Sequence, residues 1–412
     1  MPPIPVPNPS WLGLIILSLA SRFRKAKGSK SPSPSDANGR MPTYSVLVPA
    51  YNEEDLIGRA LESCAMQTVK PERVIILDDN GSCDYWKIVA SVYPQAEIIR
   101  SDRRQGKALN IAKNTQGIIS DYVLVLDADS FVDSDFMQKI LGHAPFDVAS
   151  GTVNPDPEST KTIYGRHRLV EYMYGQVVMK RAFNLMGSPN IAGCFAVYKT
   201  DILKTFGLPS RTVTEDLDLC WEVLEKKGKV IFAPEARGYT HEPQSYGEYS
   251  RQVGRWYSGF WQCVKVHGAE GVGEDNRLAL SLNFVFVDQL IIAPIWFAFL
   301  LGSILTGLSD IRGLLSFLQL VQSNFVVSAI VGAWHRWFPF ATNILLFTVS
   351  ITFDISFTSA ITLYWAKKQR SAKAAAKALP FFYFLSWYNR FVFWASALKT
   401  THWKPEEKGT VW

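Results

Sequence analysis

The chain has 412 residues, 48% of them hydrophobic and 19% charged, with a formal net charge of +6. That length exceeds one average domain. The surplus positive charge gathers at Arg22, Arg24, Lys25, Lys27 and Lys30 and again at Lys367, Lys368, Arg370, Lys373 and Lys377. Both groups flank apolar runs, which argues for lipid headgroups and against nucleic acid as the partner. The five cysteines, Cys64, Cys83, Cys194, Cys220 and Cys263, show neither CxxC pairing nor a zinc-ligand spacing, so they are expected to be reduced thiols in a cytoplasmic domain.

From the N-terminus, Trp11–Ala20 is too short for a comfortable span; an interfacial anchor, a short span and a signal-like segment are its readings, and the anchor is preferred. Ser29–Gly39 is a polar Pro/Ser linker. Residues 1–40 are therefore an anchor and linker, ahead of a domain over 41–270. That domain opens with a strand from Tyr44, a loop, and a helix carrying Leu56, Ile57, Ala60, Leu61 and Cys64 at helical spacing. A strand Val74–Leu77 ends in Asp78-Asp79. A helix over Tyr85–Val92 and a short strand at Glu97 follow, and Gly106-Lys107 then opens another helix. The strand Tyr122–Leu126 ends in Asp127-Ala128-Asp129. Alternating βα units predict an α/β domain with a mostly parallel sheet and helices on both faces. Apolar strands that end in carboxylates put those carboxylates where open α/β sheets bind ligands. Two aspartates one residue apart at such a tip can hold a divalent cation and, through it, a diphosphate.

Further on, Thr214-Glu215-Asp216 opens a helix predicted over Leu217–Lys226, and Gln252, Arg255 and Trp256 share one helical face. From Asn283 the chain turns apolar. Asn283–Leu308, Leu314–Trp334 and Phe338–Trp365 are long enough to be membrane-embedded. Three full crossings from a cytoplasmic domain would leave Lys367–Lys377 outside, against the positive-inside rule. Leu314–Trp334, with Gln319, Gln322, Ser323 and Asn324, is then interfacial or re-entrant, or the rule is broken. The crossing count stands at two to four. Pro380–Leu398, with Asn389 and Arg390 mid-run, is placed in the interface. Residues 271–412 thus form a region of transmembrane and interfacial helices.

The ordered series Val48-Pro49-Ala50-Tyr51-Asn52-Glu53-Glu54, Asp78-Asp79, Gly106-Lys107, Asp127-Ala128-Asp129, Thr214-Glu215-Asp216-Leu217-Asp218 and Gln252-Val253-Gly254-Arg255-Trp256 resembles the motifs of family 2 inverting glycosyltransferases. The last two motifs, followed by apolar helices, resemble the processive branch that makes hyaluronan, chitin, cellulose and poly-N-acetylglucosamine. One departure is Asn80, which stands between Asp78-Asp79 and Gly81-Ser82 where the family reads Asp-Asp-Gly-Ser.

The resemblance implies a GT-A type nucleotide-sugar domain, a UDP-sugar donor, Mg²⁺ or Mn²⁺ as cofactor, and a saccharide acceptor, with a lipid or protein acceptor as the non-processive alternative. It implies an integral protein of the cell membrane whose catalytic domain faces the cytoplasm and which passes its product through its own helices. Asp129 would be the metal ligand, Asp127 would touch the ribose or the sugar, and Asp78 or Asp79 would hold the base or ribose. Lys107 would sit near the phosphates or base. Asp216 would be the general base with Glu215 beside it, since an inverting displacement needs a carboxylate on the acceptor side. Arg255 would meet the diphosphate, with Gln252 on the same face, and Trp256 would carry the acceptor sugar. Gly193 and Cys194 would line the acceptor site. His241 is either a metal ligand or, as a lone histidine more often is, structural.

Overall fold

The computed structural model describes residues 40–175, 180–185, 187, 191, 193–268 and 372–404, with a few further positions between 356 and 367. The chain divides into two compact units, and everything below concerns the one containing Leu12–Ser281 and Trp365–Trp412. The anchor expected at Trp11–Ala20 and the apolar stretches Asn283–Leu308 and Leu314–Trp334 lie outside the described residues, as does nearly all of Phe338–Trp365. Among the described residues, no helix is long and apolar enough to cross a membrane.

Eight strands form one sheet: β1 Tyr44–Ala50, β2 Val74–Asp78, β3 Glu97–Arg100, β4 Tyr122–Leu126, β5 Ser130–Val132, β6 Val148–Pro155, β7 Phe195–Lys199 and β8 Val230–Thr240. Their order is β3-β2-β1-β4-β7-β6-β8-β5. The first four are mutually parallel, and β2 and β4 are buried along their whole length. Their unbroken Val/Ile/Leu runs follow from this, because both faces are covered. The second half departs from the mostly parallel expectation. Strand β7 runs antiparallel to both β4 and β6, and β5 runs antiparallel to β8, so the sheet is mixed. The apolar run Phe195–Lys199 declares burial, and burial carries no information about strand direction.

The helices include those the sequence reading placed, with ends shifted by a residue or two, and several that it did not. They are α1 Ile57–Ala65, α2 Trp86–Val92, α3 Lys107–Thr115, α4 Phe136–Leu141, α5 Ile163–Tyr174, α6 Arg181–Leu185, α7 Thr200–Phe206, α8 Glu215–Glu225 and α9 Tyr246–His267. In α1, Ile57, Ala60, Leu61 and Cys64 are the buried stripe and meet the core of β1 and β2. Helix α9 begins at Ser245, whose Oγ accepts the N–H of Glu248, while Glu248 accepts the N–H of Gln244 at 2.8 Å. These two bonds satisfy donors that a helix start leaves open. At its other end His267 spans two carboxylates of α8, Asp218 and Glu225, each at 2.8 Å. Burial alone would lower the His267 pKa, but these two partners raise it to about 9, so the clamp is charged at neutral pH.

The stretch read as interfacial, Pro380–Leu398, belongs to a continuous helix, α10, Ala372–Thr400, with Pro380 inside it. Helix α10 packs on α5 and α9. Tyr249 donates to Asn389 at 2.7 Å, and the Trp261 indole N–H donates to the carbonyl of Phe393 at 3.1 Å. Asn389 and Arg390, polar residues in the middle of an apolar run, are thus buried against the α/β domain.

Candidate active site

The parallel strands deliver Asp78, Asp79, Asp127 and Asp129 to one edge of the sheet. Both residues of the first pair are buried and already engaged. Asp78 Oδ1 accepts the N–H of Gly81 at 2.8 Å, and the Arg100 guanidinium stands 3.6 Å from Oδ2. Asp79 accepts the N–H groups of Gln105 and Gly106, one on each oxygen, at 2.9 Å. The additional Asn80 adopts φ +61°, a conformation asparagine tolerates, and its loop is tied down by Asn52 Oδ1, which accepts the Ser82 N–H at 2.8 Å. Asp79 thereby fixes the turn from which Lys107 departs.

Lys107 is the centre of the cluster. Its Nζ is 2.6 Å from Asp127 and 3.3 Å from Glu215, so one ammonium joins the tip of β4 to the start of α8. Burial alone would lower its pKa, but the fields of Asp127, Glu215 and Asp216 raise it well above the ordinary lysine value. Lys107 was expected at the phosphates or base; it is found between the two acidic motifs.

Asp216 lies behind this pair against Gly193. A Cβ built at Gly193 would fall 2.5 Å from Asp216 Oδ2, so only glycine lets the strand entering β7 pass this carboxylate. Cys194 follows, and its carbonyl accepts the N–H of Asp127 at 2.9 Å. Thr214 heads α8 but does not cap it; its hydroxyl meets the Cys263 sulfur of α9 at 3.6 Å. A Cβ at Gly259 would come within 2.3 Å of that hydroxyl, which shows how closely α9 approaches the acidic motif. Gly193→Ala is accordingly expected to displace Asp216 and, with Asp216 in the base role that the family resemblance implies, to cut turnover by about tenfold or more. Circular dichroism and melting compared with turnover check this; full activity in the folded variant would contradict it.

On α9 the predicted trio divides. Gln252 and Trp256 converge on Arg168 of α5, a fully buried arginine that sequence reasoning did not single out. Arg168 donates to Gln252 Oε1 at 2.6 Å and to Glu171 at 2.5 Å, lies 3.4 Å from Glu242, and stacks over the rings of Trp256 at 4.4 Å and Tyr249 at 4.8 Å. Arg255 is exposed and lines, with Gln252, His241 and Glu242, a cavity of about 1020 Å³. Its charge still acts on Asp127. The His241 backbone N–H donates to the Asp129 carbonyl at 3.0 Å, and its ring pairs with Ser159.

Glu53 is the other residue that went without a role. Burial, then the fields of Asp129, Asp127 and Glu54, push its carboxyl up to about 7. Excess negative potential therefore gathers at the tip of β4, which suits a divalent cation and the phosphates it would carry. Asp129 Oδ1 is held by Ser130 at 2.8 Å. Among the described residues, no three His, Cys, Asp or Glu side chains converge to enclose an ion. The donor set fits a hard cation held by one carboxylate and completed by phosphate oxygens and water, the usual manner of Mg²⁺.

Residues 45–207 match the model described as glycosyl transferase family 2. The poly-beta-1,6-N-acetyl-D-glucosamine synthase of Staphylococcus aureus (strain MSSA476) is 26% identical over 219 residues, 52% of this chain and 53% of the relative. The enzyme of the same name from Staphylococcus epidermidis is 25% identical over 328 residues, 75% of this chain and 74% of the relative. The chain thus aligns with about half the length of the S. aureus relative. Among solved structures, a mannosyltransferase from Pyrobaculum calidifontis in complex with GDP-Man and Mn2+ superposes with a TM-score of 0.53 at 16% identity, covering 90% of this chain and 96% of its own. That likeness is one of fold, and it establishes the GT-A type architecture.

Proposed function

We propose that this protein is a membrane-integrated, inverting glycosyltransferase that uses a UDP-sugar to extend a β-linked polysaccharide and passes the product through its own membrane helices. The observation that carries the reading is Lys107 bridging Asp127 and Glu215. It ties the strand tip suited to a nucleotide diphosphate to the motif suited to activating an acceptor, within one half-buried cluster.

In this mechanism an acceptor hydroxyl gives its proton to Asp216 as its oxygen bonds to the anomeric carbon, and the diphosphate departs from the opposite face with the bonding electron pair. Asp129 would hold Mg²⁺ or Mn²⁺, which would supply charge neutralisation at the diphosphate. Lys107 and Arg255 add fixed positive charge on that side. Asp78 and Asp79 shape the nucleotide loop and set the departure point of Lys107. Gly193 and Cys194 border the acceptor path beside Asp216. Arg168 sets the orientation of the Trp256 ring, whose flat surface supports the acceptor sugar.

Relatedness to enzymes named poly-N-acetylglucosamine synthases supports a polymer product. Trp256→Ala should abolish products of several sugars while leaving slow donor hydrolysis, because water needs no stacking platform. Mass spectrometry of products at saturating donor checks this. If the unmodified protein yields only single-sugar adducts on lipid or protein with every acceptor supplied, the non-processive reading replaces this one.

A further inference from the structure

A buried charged seam joins the helix of the acidic motif to the helix of Trp256. His267 is 3% exposed and has Asp218 at 2.8 Å from Nε2 and Glu225 at 2.8 Å from Nδ1. A neutral imidazole carries one N–H and could donate to only one of these carboxylates, so the geometry itself calls for the imidazolium. Asp218 is fully buried and both its oxygens are taken. Its Oδ1 accepts from His267 and from Arg211 at 2.7 Å, and its Oδ2 accepts from Arg211 at 3.0 Å. It therefore cannot meet a substrate, although it stands two residues after Asp216. Arg211 also reaches Glu222 at 2.9 Å, so two cations serve the carboxylates of Asp218, Glu222 and Glu225.

The seam continues to the head of α8. Gln262 Oε1 accepts the N–H of Val213 at 2.9 Å, next to the Thr214 hydroxyl that meets Cys263 and the close approach at Gly259. Trp221 of α8 packs edge-on against the rings of Phe260 and His267, with centroids 5.9 Å away in each case. Along α9, Gln252, Trp256, Gly259, Cys263 and His267 recur at spacings of three and four and so share one side of the helix. Gln252 and Trp256 meet Arg168 of α5, whereas Gly259, Cys263 and His267 meet α8. One side of a continuous helix thus carries the Trp256 ring at one end and grips the acidic motif along the rest.

We propose that His267 is a positioning residue for sugar transfer: by holding Asp218 and Glu225 together it fixes where the acidic motif at the head of α8 stands relative to Trp256 on α9. The proposal rests on the reading of Asp216 as base and Trp256 as acceptor platform. His267→Gln leaves Asp218 and Glu225 without their shared cation, and α8 gives way along the seam. An acceptor sugar held by Trp256 is then misaligned with the base. Water is not held by Trp256 and reaches the carboxylate wherever α8 stands. The readout is the ratio of sugar transferred to sugar released by hydrolysis, with the UDP-sugar that the protein consumes. That ratio should fall about tenfold or more in His267→Gln, the scale of a misplaced reacting group. A merely structural role lowers transfer and hydrolysis alike through the folded fraction, so an unmoved ratio in His267→Gln would overturn the proposal. Should that variant fail to fold, Glu225→Gln decides in its place, since it keeps an acceptor for Nδ1 and removes only one charge. A lowered ratio there supports the proposal and an unmoved one overturns it. Trp256→Ala, assayed alongside, separates the two claims. Undiminished transfer by that variant refutes the acceptor reading and the proposal with it. Lost transfer in Trp256→Ala with an unmoved ratio in His267→Gln refutes the role of His267 alone.

Discussion

Asp216→Asn is expected to lower sugar transfer by at least ~10²-fold while donor affinity stays nearly unchanged. The amide keeps the size and polarity of the carboxylate but cannot take a proton from the acceptor hydroxyl. Asp216 is not part of the Lys107 bridge, which runs from Asp127 to Glu215, so the donor-side arrangement survives the change. The position against Gly193 survives too, since asparagine occupies the same volume. Titration calorimetry with the donor nucleotide and a turnover assay on the same preparation make the comparison. If donor binding falls as far as turnover does, Asp216 belongs to the nucleotide site and another group must be the base.

The second large effect is expected at Arg168. Arg168→Met keeps the length and apolar stem but leaves Glu171 and Glu242 buried without their cation. Both carboxylates are almost fully enclosed, and removing one partner of a buried ion pair costs about 3–5 kcal/mol. Gln252 loses its 2.6 Å donor and Trp256 the guanidinium stacked on it, so activity should fall with stability. Arg168→Lys is not a remedy, because a point charge cannot bond Glu171 and Gln252 and also stack on Trp256. Denaturant midpoints of the two variants measure this. An unchanged midpoint for Arg168→Met would show that the network contributes no net stability.

The parallel half of the sheet was legible because fully buried strands leave unbroken apolar runs, and the carboxylates that end β2 and β4 stand at the tips those runs predict. The Thr214-Glu215-Asp216 helix start was legible for a similar reason: Leu217, Leu219, Cys220, Val223 and Leu224 form its buried side. The reversed direction of β7 was not, since pattern encodes faces and not direction. Arg168 was invisible because its meaning depends on Gln252, 84 positions away, and nothing in its own helix marks it as buried. Glu53 is the same case: a charged residue looks solvated until the elements that enclose it are assembled. Asp78 and Asp79 stand at the end of β2 where the apolar run put them, and part of their hydrogen-bonding capacity is taken up by their own loop, through Gly81, Gln105 and Gly106. The Asn80 insertion left the choice between them open in the sequence, and the backbone bonds show that both are engaged.

The central claim is that the Asp127, Asp129, Lys107, Glu215 and Asp216 cluster transfers sugar from a nucleotide diphosphate. The most direct test gives purified protein, in lipid, a panel of UDP- and GDP-sugars with Mg²⁺ or Mn²⁺ and measures nucleotide release together with product mass. The account predicts release from a UDP-sugar that stops on chelation and in Asp129→Ala, with a product of several sugars per chain. No release from any donor, or full release in excess chelator from a folded protein, would contradict it.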